Sequence, residues 1–435
     1  MSRKTVTNWG NYPAIEADVT ETRSHESIRQ TVQNHEHLIA RGNGRCYGDS
    51  SLGKNIFSTL KLNRFLAFDT DKGVIECESG VLLSEVLDVI IPKGFFLPVT
   101  PGTKFITLGG AIAADVHGKN HHCDGTFSNH VEHFDLLVAD GNIVRCSPDE
   151  NHELFWQTCG GMGLTGIILR AKFRLKPIET SFIQQISHKS PDIDSVMELF
   201  DSTTESTYSV AWIDCLAKGK NLGRSILMLG EHSKLDQLPS RFSKNPLQPA
   251  PTKAFDLPIF LPSFSLNHLT VKAFNFAYYN KQLTESSESV IHFDPYFYPL
   301  DSVLNWNRAY GRRGFVQYQC VIPLGESRDG LITILTEIAK YGQGSPLAVL
   351  KLFGKPDPNA IMSFPIEGYT LALDFKVNRE VFGLLDQLDH IVLDHGGRLY
   401  LAKDARMSTE TFHSSYKNKV SSGKFSSAQS ERLKF

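Results

Sequence analysis

The chain has 435 residues, 41% of them hydrophobic and 21% charged, a balance that suits two or three globular domains and excludes wholesale disorder. Lys and Arg number 45 against 47 Asp and Glu, a formal charge of −2, so no global basic field exists to gather nucleic acid. Seven scattered cysteines (Cys46, Cys77, Cys123, Cys146, Cys159, Cys215, Cys320) form no CxxC pair, which argues against a disulfide framework or structural zinc and for the reducing cytoplasm.

The first residues, MSRKTVTNWGNYP, lack the apolar core of a signal peptide. No run reaches the ~18 apolar residues of a membrane span. Residues 74–77 read as a strand, and Leu83, Val86, Leu87 and Ile90 then recur at helical spacing until Pro92 and Gly94 close the helix. Residues 95–99 resume an extended run. Asp140-Gly141 between the apolar runs 134–139 and 142–145 predicts a hairpin. Ser147, Pro148 and Glu150 carry the cap, first-turn proline and third-position acid of a helix start. After Gly160, Gly161, Gly163 and Gly166, the residues Ile167, Leu169, Ala171, Phe173 and Leu175 alternate with Arg170, Lys172, Arg174 and Lys176, a half-buried strand ending at Pro177. Residues 181–230 mix short strand signals with polar turns.

Residues 232–265 hold six prolines (Pro239, Pro246, Pro249, Pro251, Pro258, Pro262) and read as a long loop. Its apolar end, residues 257–264, packs on the domain or forms a flap facing lipid or substrate. Val381, Leu384, Leu385, Leu388, Ile391 and Val392 then make an amphipathic helix stopped by Gly396-Gly397. An apolar strand over 398–402 delivers Lys403 and Asp404.

Two glycine-rich segments, 41–50 and 101–120, are dense enough to bring backbone N–H groups against a pyrophosphate, although such clusters also make ordinary turns. Neither fits the common nucleotide signatures. A GxxxxGK[ST] fails because Ala113 and Asn120 stand around Gly118-Lys119, and GxGxxG fails at Tyr47. His117, His121, His122, His130 and His133 invite a metal, but no Glu follows as in HExxH, so none is expected.

Four ordered stretches carry a resemblance: RGNGRCYGD at 41–49, PGT at 101–103 leading to GGAIAADVHGKNHH at 109–122, GLTGIILRA at 163–171 and YLAKDAR at 400–406. Together they resemble the FAD-linked oxidases of the vanillyl-alcohol oxidase type, in the branch of the decaprenylphosphoryl-β-D-ribose 2-epimerase flavoproteins. The resemblance spans nearly the whole chain. It implies a two-domain α+β fold: an FAD-binding domain over 1–180, an antiparallel-sheet substrate (cap) domain over 181–397, and a return to the FAD domain over 398–435.

Carried over by residue, the resemblance implies that Arg41, Gly42, Asn43, Gly44, Arg45, Cys46 and Tyr47 line FAD, with Pro101, Gly102, Thr103, Thr107, Gly109, Gly110, Ala113, Ala114, Val116, His117, Asn120 and His122. Gly163, Gly166 and Ile167 would approach the adenine half, and Tyr400 and Lys403 the ring. Many relatives bind flavin covalently through a His in the first segment. Here that stretch reads Gly44-Arg45-Cys46, so non-covalent FAD is expected, with Cys46 a small hydrophobe more readily than a thioether link. Lys403, a surface lysine on its own evidence, becomes a cation beside the flavin pyrimidine or an anchor for a substrate phosphate. His117, Tyr47 and Lys403 are the candidate proton acceptors, unranked.

Lys119, Gln317, Gln319, Lys351, Phe353, Thr370 and Ala372 match substrate-pocket positions. Alternation places Gln317 and Gln319 on one strand face, where paired amides suit a polyhydroxylated sugar. At Thr370 and Ala372 the branch is expected to show Asn and Cys, which bears on substrate identity. The function implied is oxidation of the 2-hydroxyl of a polyprenyl-phosphoryl pentose, the keto product passing to a partner short-chain reductase. An aldonolactone oxidase is the alternative, though the chain ends in YLAKDAR rather than HWxxGK, and a non-catalytic FAD-fold scaffold is the alternative of another class. A polyprenyl substrate implies peripheral contact with the inner face of the membrane, for which Ile259, Phe260, Leu261 and Phe264 are the candidates.

Overall fold

The chain opens on a four-stranded sheet with spatial order Ser2–Thr7, Ala14–Glu21, Asn55–Ser58, Ile39–Arg41. In the computed structural model, which describes residues 2–250, 254–262 and 265–435, its edge strand ends at Arg41. The first glycine segment thus leaves directly from a sheet. A five-stranded antiparallel sheet follows, in order Phe65–Asp69, Val74–Glu78, Ile167–Arg174, Val131–Leu137, Ile143–Cys146. The helix Leu83–Ile90 buries Leu83, Val86, Leu87 and Ile90, each worth about 1.5–3 kcal/mol of transfer free energy. Gly94, at φ 80°, turns the chain out of it.

Two readings need correction. The helix expected to start at Ser147 begins at His152. Ser147 Oγ accepts the Asp149 and Glu150 N–H groups in a local turn, and Asn151 then adopts φ 52°, which interrupts a helix from Pro148. The strand Ile167–Arg174 does not alternate uniformly either. A register shift against Val131–Leu137 falls between Ile168 and Arg170. Before it, Ile167 and Leu169 enter one core; beyond it, Ala171 and Phe173 share the core of Ile168. One inserted residue exchanges the faces.

Where short strands and turns are expected after residue 181, a regular eight-stranded sheet forms. Its order is Ser286–His292, Phe182–Ser190, Ser225–His232, Tyr208–Ile213, Val349–Phe353, Gly368–Lys376, Phe315–Pro323, Arg398–Leu399. Every neighbouring pair is antiparallel. Helices Ile193–Ser202, Ser327–Tyr341 and Arg379–Asp394 contribute to the same core as Ala211, Ile213, Leu350, Leu371 and Leu373. The opposite face, carrying the residues between these, is left for the site.

The strand expected over 398–402 is two residues long. Lys403 N–H then donates to Tyr400 O at 2.9 Å, so Lys403 sits on a turn rather than a strand end. Beyond it the chain returns to the N-terminal half: Arg432 donates to Asp49 at 2.8 and 3.0 Å and to Asp404 at 2.7 Å, locking the tail onto the first glycine segment.

Residues 232–265 contain short turns and the two-residue strand Phe255–Asp256, parallel to Val303–Leu304. Ile259 is 62% and Phe260 40% exposed, and Leu261 is half-buried. Phe264 lies outside the described residues. Among those residues no helix is long and apolar enough to cross a membrane.

Candidate functional site

A cavity of about 570 Å³ lies between the glycine segments and the free face of the eight-stranded sheet. One wall is backbone. Residues 41–47, 101–103, 106, 107, 109 and 110 line it. Asn43 Nδ2 donates to Phe105 O at 2.8 Å, tying the two segments together. Gly44 takes φ 61°, and a Cβ on Gly42 would stand 2.2 Å from Thr107 Oγ1. Only glycine allows both the turn and the approach. Arg41, held through Nη2 to Thr7 O at 2.9 Å, keeps a buried Nε without a partner. Bare backbone and an unspent guanidinium N–H fit a dinucleotide pyrophosphate.

The other wall is the sheet face. Register places Gln317 opposite Asp374, Gln319 opposite Ala372, Ala372 opposite Val349, and Val349 opposite Trp212. Gln317, Gln319, Lys351, Ala372, Tyr400 and Lys403 all line the cavity, as do Tyr47, Ala113, Ala114, Val116, His117, Lys119, Gly163 and Gly166. Five residues do not. Asn120 turns its amide to Pro98 O and Asp124, and His122 turns Nε2 to Ser206 O. Thr370 donates to Cys320 O and stands behind Gln319. Phe353 packs 4.8 Å from the His117 ring. Ile167 faces away into the core of Leu137 and Leu169, and its neighbour Ile168 stands on the wall.

The electrostatics of this end are unusual. Lys119, Lys351 and Lys403 converge there, and among the described residues none forms an ion pair. Burial pushes the Lys351 ammonium down to about 7, aided by Lys403, and Lys119 down to about 7, aided by Lys351. Lys119 Nζ donates to Tyr296 O and lies 4.0 Å from that ring's centre. Lys403 Nζ lies 3.8 Å over the Tyr47 ring. Burial pulls Lys403 down while Asp374 opposes it. Asp374 is pushed up by burial, against the 2.7 Å hydrogen bond from Gln317 Nε2 and the charge of Lys403. Burial holds the Tyr47 phenol well above its ordinary range. His117, 5% exposed and 3.1 Å from Gln319 Nε2, is held well below the usual imidazole range by burial and by Lys351, His121 and Lys403. Lys119 and Lys351, with no carboxylate acting on them, and Lys403, with only Asp374, give this end a cationic character suited to an anion.

Reading the sequence missed Asp374, although alternation from Thr370 and Ala372 puts it on the same face. It also missed the apolar wall of Val210, Trp212, Met228, Phe274 and Tyr278, because these side chains look like ordinary core.

A family model described as an FAD binding domain matches residues 19–147. Decaprenylphosphoryl-beta-D-ribose oxidase of Mycolicibacterium smegmatis is 38% identical over 423 residues, 95% of this chain and 91% of that protein. An uncharacterised Streptomyces coelicolor protein is 33% identical over 77% of this chain and 92% of its own. The xylooligosaccharide oxidase of Myceliophthora thermophila superposes with a TM-score of 0.65 at 13% identity, covering 96% of this chain and 87% of that one, a likeness of fold. The α+β architecture is that of the FAD-linked oxidases, the cofactor is FAD, and the chain belongs to the decaprenylphosphoryl-β-D-ribose oxidase family, as an FAD-dependent oxidoreductase acting on a sugar hydroxyl.

Proposed function

We propose that the enzyme oxidises the 2-hydroxyl of a polyprenyl-phosphoryl pentose to the keto sugar. The observation that carries this reading is the meeting of three lysines lacking ion-pair partners with the paired amides of Gln317 and Gln319. The lysines supply charge for a phosphodiester, and the amides supply donors and acceptors for ring hydroxyls. An aldonolactone, being uncharged, makes no use of the lysines.

The two glycine segments would hold FAD non-covalently, and the bound cofactor would supply the acceptor for the hydrogen lost from carbon. Lys403 stays cationic beside Tyr47, helped by Asp374, and offsets negative charge developing nearby. Tyr47 keeps its proton and donates a hydrogen bond. His117, neutral at physiological pH, takes the hydroxyl proton. Lys119 and Lys351 hold the phosphate. The keto product passes to a separate short-chain reductase at the inner face of the membrane, where a prenyl-chained substrate resides. The exposed Ile259 and Phe260 suit peripheral contact there.

Anaerobic mixing with prenyl-phosphoryl ribose and with aldonolactones tests the assignment. The phosphoryl sugar should bleach the flavin spectrum at lower concentration. Bleaching by the lactone alone would replace this reading with the lactone oxidase.

A further inference from the structure

The cavity changes chemistry along the sheet. Starting from Gln319, one transverse row runs through Ala372 and Val349 to Trp212, with Met228 opposite the neighbouring Val210. At ~4.8 Å per strand the step from the Ala372 strand to the Met228 strand is roughly 14 Å. Beyond Lys351 the wall is apolar: Val210, Trp212, Met228, Leu347 and Val349 line it. The helix His268–Asn280 closes this end with Phe274 and Tyr278, whose ring lies 4.6 Å from Trp212.

That helix is an unusual surface element. Only Val271 and Asn275 are buried, and it is tethered by polar contacts, Asn275 Nδ2 to Asp214 at 2.7 Å and His268 Nδ1 to Gly342 O at 2.5 Å. Its apolar residues are left over. Leu269 is 74% and Phe276 61% exposed. Phe274 lines the cavity and is still 43% exposed, so the cavity opens beside it. Beyond Val271, which joins the core, and Tyr278, which packs on Trp212, the helix leaves Leu269, Phe274 and Phe276 without full apolar cover.

The order of groups matters. Gln317, Gln319 and Lys403 stand at one end and the apolar wall at the other. Lys351 stands on the strand between those of Ala372 and Trp212, and Lys119 meets the near end of the Trp212 strand. Lys119 O accepts the Ser209 N–H at 2.9 Å, beside Val210, and Lys351 follows Val349 on its strand. Sugar, phosphate and isoprenoid occur in that same order in a polyprenyl-phosphoryl pentose.

We propose that the apolar end between the sheet and the His268–Asn280 helix binds the first isoprene units of the substrate, and that the prenyl chain leaves the protein past Phe274. The inference rests on the substrate reading above but is separable from it. A simple prenyl phosphate carries the recognised part without the reacting sugar.

The test compares farnesyl phosphate with methyl phosphate on the FAD-loaded enzyme, by calorimetry, in wild type, Phe274→Ser and Val349→Thr. Wild type should bind farnesyl phosphate at least about tenfold tighter, the scale of apolar discrimination in a pocket, and each variant should lose about tenfold for farnesyl phosphate alone. Retained flavin absorbance and melting temperature would show that the variants fold. Equal affinity for the two phosphates in wild type, or parallel losses for both in the variants, would overturn the proposal. Phe274-dependent binding of farnesyl phosphate without bleaching by any prenyl-phosphoryl pentose would sink the substrate reading and leave the apolar site standing. Bleaching indifferent to chain length would do the reverse.

Discussion

Along the glycine-lined half of the cavity, the wall comes from two nearly contiguous segments, Arg41 to Tyr47 and Pro101 to Lys119, whereas the sheet half draws Gln319, Ala372, Val349 and Trp212 from four separate strands. The first half works by omission: Gly42 and Gly44 withhold side chains so that backbone can approach. The second works by addition, setting Lys351 and two amides on a wall that then turns apolar, with Lys119 and Lys403 brought up beside it. Losses in the two halves should therefore differ. Damage to the glycine wall removes the cofactor, while damage to the sheet wall leaves a flavoprotein that reacts poorly.

The largest test of that contrast is Lys403→Ala. It should retain FAD yet slow flavin reduction by ~100-fold or more, the scale for losing one preorganised electrostatic partner. Unchanged single-turnover reduction would return Lys403 to a packing role over Tyr47. Lys351→Met is expected to act on binding instead. A charged hydrogen bond of about 1.5–3 kcal/mol corresponds to a rise in KM of roughly tenfold or more, with kcat less affected. A fall in kcat alone would place Lys351 in the chemistry.

A smaller effect concerns pH. Burial disfavours the charge of Lys119 and Lys351 and brings both down to about 7. A bound anion favours the ammonium, so each pKa is higher in the complex than in the free enzyme. Binding then takes up protons, and affinity for dimethyl phosphate, a diester whose own charge is fixed over this range, should fall as pH rises from about 6.5 towards 9. Flat affinity across that range would mean that the lysines' charge is not used. The smallest expected change is no change at all: acid denaturation should release FAD into the supernatant, since Gly44-Arg45-Cys46 offers no covalent histidine. Yellow colour retained by the precipitated chain would contradict this.

The same contrast decides what the sequence shows. RGNGRCYGD and GGAIAADVHGKNHH are legible because their chemistry depends on neighbours in the chain. Gln317 and Gln319 are half legible, since alternation puts them on one face without saying what stands opposite. Asp374 shares a face with Ala372 by alternation, but only the antiparallel register sets it against Gln317; Trp212 is silent until its strand is placed, and Phe274 is silent because an apolar helical residue looks like core. The alternation read through Ile167, Leu169, Ala171 and Phe173 fails for a sharper reason. One inserted residue at the register shift exchanges faces, and periodicity read from a single strand does not register it.

The most direct test of the account is a single-turnover reduction under anaerobic conditions, with a prenyl-phosphoryl pentose carrying deuterium at C2 and a control carrying it at C3. Oxidation of the 2-hydroxyl breaks the C2–H bond, so the C2 label should slow bleaching severalfold and the C3 label should leave it unchanged. Reduction that is insensitive to the C2 label, or slowed by the C3 label instead, would contradict the proposed reaction.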